Sequence, residues 1–337
     1  MREALLYEKL PGSAVRCGTC QWRCKINPSK FGVCGMYQNI DGTEFNLNYG
    51  RVSSVAADPI EKKPLFHFHP GTLCFSLGTL GCNFRCKHCQ NWEISTAESG
   101  YLMSSCRELL PAASVEMAQR DDCQGMAWTY NEPAIWLEHT YESAKAAKAA
   151  GLYTVYVTNG YATPEQLDTI GPYLDAWRVD IKGFTDRFYQ ELSGVPRWRE
   201  ILDVTKRAKD KWNMHVEVVT NIIPTMNDDN EQLEGIAGWI YSALGELTPW
   251  HVTRFYPHHE VTDLPPTPQE TIDRACDIGK KAGLKFIYAG NIPGHENEST
   301  KCYNCGKIVI KRWGYDVKVG GLSGSKCKYC GAELNFR

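Results

Sequence analysis

The sequence predicts an α/β fold, a βα barrel of parallel strands with a small cysteine-rich unit at either end, and two observations predict it. Between Leu73 and Tyr288, short apolar runs of strand length alternate with longer amphipathic runs, the signature of βα units around a parallel sheet. Outside that span the cysteines crowd together: Cys17, Cys20, Cys24 and Cys34 before it, Cys302, Cys305, Cys327 and Cys330 after it. The expected division is residues 1–70 for an N-terminal cysteine-rich unit, 71–298 for the barrel and 299–337 for a ribbon-like unit.

Strands are expected at Leu73 to Gly78, Gly125 to Tyr130, Tyr153 to Thr158, Ala176 to Ile181, His215 to Thr220, Val252 to Tyr256 and Lys285 to Tyr288. Helices fit between them. Ala134 to Ala150 is rich in Ala, Glu and Lys, follows Pro133 and stops at Gly151. Thr163-Pro164-Glu165-Gln166 and Thr267-Pro268-Gln269-Glu270 both read as capping boxes with proline at the first helical position. Asp229 to Leu244 supplies another amphipathic helix.

Composition bounds the function. A chain of 337 residues can bury one large core and still carry appendages. Its net charge of −2, without a basic run, argues against nucleic acid as a partner. The opening Met1-Arg2-Glu3-Ala4-Leu5-Leu6-Tyr7-Glu8-Lys9 has no apolar signal core, and no stretch is long and apolar enough to span a bilayer, so the cytoplasm is the expected location. In that reducing compartment fifteen cysteines point to metal rather than disulfides. The four that stand alone, Cys74, Cys106, Cys123 and Cys276, read as small buried hydrophobes.

The most informative cysteines are Cys82, Cys86 and Cys89, in Gly81-Cys82-Asn83-Phe84-Arg85-Cys86-Lys87-His88-Cys89 directly after the first strand. Three thiolates on one loop can hold three irons of a cubane and leave the fourth open to a small molecule. A lone zinc ion would need a fourth ligand. This CxxxCxxC segment resembles the radical S-adenosylmethionine (SAM) enzymes. The resemblance implies a partial (β/α)6 barrel, a [4Fe-4S] cluster whose open iron chelates SAM, and reductive cleavage of SAM to a 5′-deoxyadenosyl radical that abstracts hydrogen from a substrate. It places His88 beside the adenine.

Barrel chemistry gathers at the C-terminal ends of strands. Thr129-Tyr130-Asn131-Glu132-Pro133 resembles the family's Gly-Gly-Glu-Pro segment, which implies that Asn131 and Glu132 meet the SAM ammonium; a polar helix start is the plainer reading. Thr158-Asn159-Gly160 and Asp180-Ile181-Lys182 are similar to segments of glycyl-radical activating enzymes that line the ribose and carboxylate side of SAM. Val157 stands where that subgroup has an aspartate, which puts a cation site there in doubt. His259, in Pro257-His258-His259, falls on the subgroup's histidine near SAM.

Cys302-Tyr303-Asn304-Cys305-Gly306 and Cys327-Lys328-Tyr329-Cys330-Gly331 are paired CxxCG knuckles around a β-prone stretch, Ile308 to Val319, and are expected to hold Zn2+ structurally. Cys17, Cys20, Cys24 and Cys34 suit a second Zn2+ or an auxiliary Fe-S cluster, and spacing does not decide. The charges of Asp58 to Leu65 read as a solvated linker in preference to a wall of the barrel mouth.

Taken in order, these segments resemble the radical SAM member of the AmmeMemoRadiSam system, whose members are similar to pyruvate formate-lyase activating enzyme. That implies AMMECR-like and Memo-like partners and a low-potential, flavodoxin- or ferredoxin-like electron donor. Three readings stay open: an activase for a glycyl-radical protein, a direct modifier of a small molecule or partner side chain, and a non-enzymatic zinc-ribbon scaffold.

Overall fold

Each expected strand run becomes a strand, and parallel neighbours in chain order follow from the helices that return the chain between them. A computed structural model describes residues 1–97 and 99–337. The chain divides into two units: Met1–Asp58, Leu73–Trp177 and Leu192–Met214 form the first, and Pro59–Thr72, Arg178–Glu191 and His215–Arg337 the second.

In the first unit β1 (Leu73–Gly78) is followed by α1 (Pro111–Arg120), β2 (Gly125–Trp128), α2 (Leu137–Ala149), β3 (Tyr153–Thr158) and α3 (Pro164–Ile170). Strand β4 (Ala176–Asp180) carries the boundary between units, and α4 (Arg199–Asp210) returns to the first. Strand β2 lies parallel between β1 and β3, Gly125 opposite both Cys74 and Tyr153. All of β2 is buried, as a strand covered on both faces must be. Thr163 caps α3 by accepting from the Gln166 N–H, as its capping box predicts. Ahead of β1, short antiparallel strands, Tyr7–Lys9, Val15–Cys17 and Lys25–Ile26, pair in order. Val15, Ile26, Met36 and Tyr37 from this region share a core with Leu80 and Ile135.

In the second unit β5 (His215–Ile222), α5 (Asn230–Trp239), β6 (Trp250–Arg254), α6 (Gln269–Lys281) and β7 (Ile287–Gly290) repeat the parallel strand and helix alternation. Asp229 caps α5 through the Gln232 N–H. The second capping box fails. Thr267 spends its hydroxyl on the Ile222 carbonyl, at 2.5 Å, and on the Phe255 N–H, at 2.9 Å, so α6 starts at Gln269 without a side-chain cap. The hairpin of β8 (Ile308–Trp313) and β9 (Asp316–Val319) carries the ribbon, whose Val309, Ile310, Leu334 and Phe336 pack with Phe286 and Tyr288 of the barrel portion.

The expectation of a solvated linker at Asp58 to Leu65 is overturned: Asp58, Glu61, Lys63 and Leu65 are all buried. The stretch leads directly into a buried charge cluster that draws the chain inward. Within the second unit the N–H groups of Phe66 and His67 donate to the Glu217 carboxylate at 3.0 and 2.7 Å, near the N-terminal ends of β5 and β6. His215 and His251 meet the same carboxylate at 3.0 and 2.7 Å. Four donors satisfy one buried carboxylate, which stays ionised: burial opposes the charge, and the two imidazoles hold its pKa well below the usual range. Cys74, Cys106, Cys123 and Cys276 are buried, as expected of isolated thiols.

Candidate active site

The loop that carries Cys82, Cys86 and Cys89 leaves β1 through Gly78, where a Cβ would stand 2.9 Å from the Tyr130 ring and 3.0 Å from the Thr129 carbonyl. Only glycine permits this approach, which brings the segment after β2 against the start of the cysteine loop. Asn131 then braces that loop at two points, accepting from the Thr79 N–H at 3.1 Å and donating to the Gly81 carbonyl at 2.8 Å. Gly81 itself has φ of +86°, a left-handed turn immediately before the first cysteine.

The three cysteines are half-buried, and His88 between the last two is buried. The Phe84 N–H points at Cys82 Sγ from 3.4 Å, and Asn159 Nδ2 lies 3.8 Å from the same sulfur. Burial pushes the Cys82 thiol well above its ordinary pKa, and the Glu132 charge pushes it further. A thiolate at this position therefore needs bound cations, whereas its two N–H donors are already set to receive it.

Glu132, fully buried, accepts from Thr158 Oγ1 at 2.7 Å, the Asn159 N–H at 2.8 Å and the Ala134 N–H at 2.9 Å. One carboxylate thus ties the end of β2 to the end of β3 and aims Asn159, whose Nδ2 also donates to Asn83 Oδ1 at 2.8 Å. Cys82, Asn131, Glu132, Thr158 and Asn159 form one connected group in the first unit.

Asp180 and Lys182 belong to the second unit. Alternation along the chain puts Arg178, Asp180 and Lys182 on one side, where Lys182 Nζ donates to Asp180 at 2.8 Å and the Arg178 guanidinium pairs with the other oxygen. Burial works against this carboxylate's charge, but the two cations hold its pKa at about 2. His259 has φ of +55°, and its Nε2 lies 3.4 Å from a Glu260 carboxylate oxygen.

Sequence reasoning passed over Asn83, Arg85 and Trp22. Trp22 Nε1 donates to the Asn83 carbonyl at 2.8 Å, and the Arg85 guanidinium donates to both the Cys82 and Val33 carbonyls at 2.6 Å. Asn83 and Arg85 were visible inside the cysteine motif; nothing in the chain signals that Trp22, sixty-one residues earlier, would meet them.

The ribbon's thiols do converge. Cys302 and Cys330 sulfurs are 3.6 Å apart and those of Cys305 and Cys327 3.7 Å, with all four within 4.8 Å of one another. Each knuckle closes on a left-handed glycine, Gly306 and Gly331, whose N–H returns to the first cysteine's carbonyl at 2.8 Å. Such a group can hold a metal ion.

Known proteins agree with this geometry. Residues 77–240 match the model of the Radical SAM superfamily. The uncharacterized protein MJ0808 of Methanocaldococcus jannaschii is 42% identical over 338 residues, covering 100% of this chain and 99% of that one. The isethionate sulfite-lyase activating enzyme of Nitratidesulfovibrio vulgaris is 26% identical over 152 residues, 44% of this chain and 49% of that protein. In fold, a radical SAM methyltransferase from Sphaerobacter thermophilus superposes with a TM-score of 0.50 at 16% identity, over 72% of this chain and 71% of that one. The α/β fold, the full-length relative and the matched segment around the cysteine loop lead to one assignment: the chain belongs to the radical SAM superfamily.

Proposed function

We propose that the chain holds a [4Fe-4S] cluster on Cys82, Cys86 and Cys89, binds SAM at the open iron, and abstracts hydrogen from a partner protein in the manner of a glycyl-radical activating enzyme. When bound, the cluster and SAM supply an electron and a 5′-deoxyadenosyl radical. The observation that carries the reading is the three-thiol loop, braced at Gly81 by Asn131 and at Cys82 by Asn159. Asn131 and Glu132 act here as positioning groups, since their side chains are engaged with the loop and with the end of β3. Asp180, Lys182, His259 and the His88 ring are the groups assigned to SAM itself.

The activase reading is supported by similarity to an activating enzyme, and it calls for a low-potential flavodoxin- or ferredoxin-like donor. Membership of the AmmeMemoRadiSam group, with AMMECR-like and Memo-like partners, belongs to the same proposal. The ribbon would hold structural zinc: four thiolates at a Zn–S distance of about 2.3 Å lie about 3.8 Å apart around a tetrahedron, close to the 3.6 and 3.7 Å observed.

The test is anaerobic reconstitution and measurement of 5′-deoxyadenosine formed from SAM under a strong reductant, beside the Cys82→Ala/Cys86→Ala/Cys89→Ala variant. Product that disappears in the variant supports the proposal. Iron-loaded wild type that neither binds SAM nor forms product above the variant sinks it.

A further inference from the structure

The ribbon is basic in a chain that is otherwise acidic. From Ser299 to Arg337 six lysines and two arginines stand against one aspartate and one glutamate, a net +6 in a chain whose total is −2, so residues 1–298 carry −8. Four thiolates on a divalent ion would cancel two of those charges and still leave the segment basic. Arg312 is buried, whereas the six lysines and Arg337 are exposed. The near-neutral total, which argues against a polyanionic partner for the chain as a whole, averages over this separation.

Strand register concentrates the charge. Lys311 of β8 stands directly opposite Lys318 of β9, and like charges opposed across an antiparallel pair destabilise it. Neither of these lysines makes an ion pair among the described residues, whereas Lys301 lies 3.6 Å from Glu296. An anion bound between them would relieve their repulsion. Alternation along β8 puts Trp313 on the same face as Lys311. Its indole is 65% exposed, although one edge rests on Gly294, where a Cβ would stand 2.8 Å away. Ile310 and Arg312, which alternate with Lys311 and Trp313, are buried, so the hairpin's packing is complete without the indole.

The same face runs on to the second knuckle. The Gly320 and Gly321 N–H groups donate to the Val309 carbonyl at 3.2 and 2.9 Å, and the Lys328 N–H donates to the Gly321 carbonyl at 2.9 Å. Beside Lys328 the exposed Tyr329 ring has the Lys307 ammonium 4.6 Å and the Lys328 ammonium 5.1 Å from its centre. Flat, exposed rings thus alternate with ammonium groups across the ribbon.

We propose that this face binds a single-stranded polynucleotide, with phosphates on Lys311 and Lys318 and bases stacked on Trp313 and Tyr329. An unpaired strand offers both chemistries at once: its backbone meets cations, and every base has a face that stacks on an aromatic ring. An acidic protein fits less well. Protein interfaces are depleted in lysine, and a carboxylate is met best by the guanidinium fork, yet apart from Arg337 the exposed cations here are all lysines. The surface rests neither on the cluster nor on SAM.

The experiment follows the anisotropy of a labelled single-stranded RNA of about twelve nucleotides on the full, metal-loaded chain, from about 50 to 200 mM salt. Trp313→Ala should weaken binding about tenfold. Lys311→Gln/Lys318→Gln should lower the slope of log affinity against log salt by about 1.4, for two phosphates at about 0.7 each. Both substitutions fall on exposed side chains, so the thermal midpoint and the ribbon's metal content should match wild type. The same RNA annealed to its complement should bind more weakly and ignore Trp313→Ala, because its bases are already stacked. The Cys82→Ala/Cys86→Ala/Cys89→Ala variant should bind RNA as wild type does, so failure of the catalytic reading leaves this one standing. Absence of binding at about 50 mM salt, or binding that none of the ribbon substitutions alters, overturns the proposal. Polyglutamate that displaces the RNA as effectively as unlabelled RNA overturns it too, and assigns the face to an acidic protein.

Discussion

The three motif cysteines of the first unit and the four ribbon cysteines of the second are held in place in two different ways. In the ribbon, two knuckles of identical local geometry bring four sulfurs within 4.8 Å, so the site is complete in the turns themselves. In the first unit the cysteine loop is held by side chains and carbonyls from elsewhere in the chain: Asn131 on Gly81, Asn159 on Cys82, Arg85 across to Val33. A closed site of local turns serves stability; a site assembled from several strand ends can present reactive positions in a chosen direction.

Breaking the ribbon should have the largest effect. Cys302→Ala, or a strong chelator, should cost the second unit about 5 kcal/mol or more of stability by removing a structural ion, read as a fall in the thermal midpoint, while iron on the catalytic loop stays near wild type. Equal loss of iron would erase the distinction drawn between the two regions. Glu217→Ala comes next, at about 3–5 kcal/mol, because two buried imidazoles and two N–H groups lose their acceptor; urea titration gives the value, and a change under about 1 kcal/mol would show the cluster to be dispensable.

Smaller effects fall on the braces. Gly81→Ala forces a left-handed residue and a clash with Met36, about 1–3 kcal/mol, and should lower iron retained after reconstitution more than it lowers zinc. Glu132→Gln removes charge from the bracket at Thr158 and Asn159, about 1–3 kcal/mol, and should cut 5′-deoxyadenosine formation while the ribbon keeps its metal. The smallest is a pH effect shared by both units. Burial lowers the pKa of His139 in the first unit and of His67 in the second to about 3, against about 6.5 when unfolded. A depressed imidazole stabilises the fold fully above the unfolded value and loses that contribution as pH falls from about 6.5 toward 3. Denaturant midpoints should therefore drop on acidification, and His139→Gln should flatten the slope.

Much of this architecture could be read from local pattern. The strand runs and the Thr163 and Asp229 caps needed only neighbours in the chain, and the CxxCG knuckles carried their own turn geometry. Thr267 misled because its hydroxyl answers to Ile222 and Phe255 rather than to its own helix. The charges of Asp58 to Leu65 misled for a deeper reason: their burial is decided by partners such as Arg312, whose guanidinium donates to the Phe66 carbonyl across 246 residues. In the same way, Glu132 looks like a free acid in sequence and proves to be bonded to a strand end twenty-six residues on.

The segment around His67 also sets an order of assembly. It is synthesised early, yet its ring meets the Leu334 carbonyl at 2.8 Å, its carbonyl receives the Arg337 N–H at 2.9 Å, and its neighbour His69 donates back to Arg337 at 2.7 Å. The braces on the cysteine loop, Asn131 and Asn159, both emerge well before residues 334–337. The second unit must hold the His67 carbonyl and ring Nδ1 without these partners until residues 334–337 leave the ribosome, so its nascent state is the one exposed to chaperones and proteases.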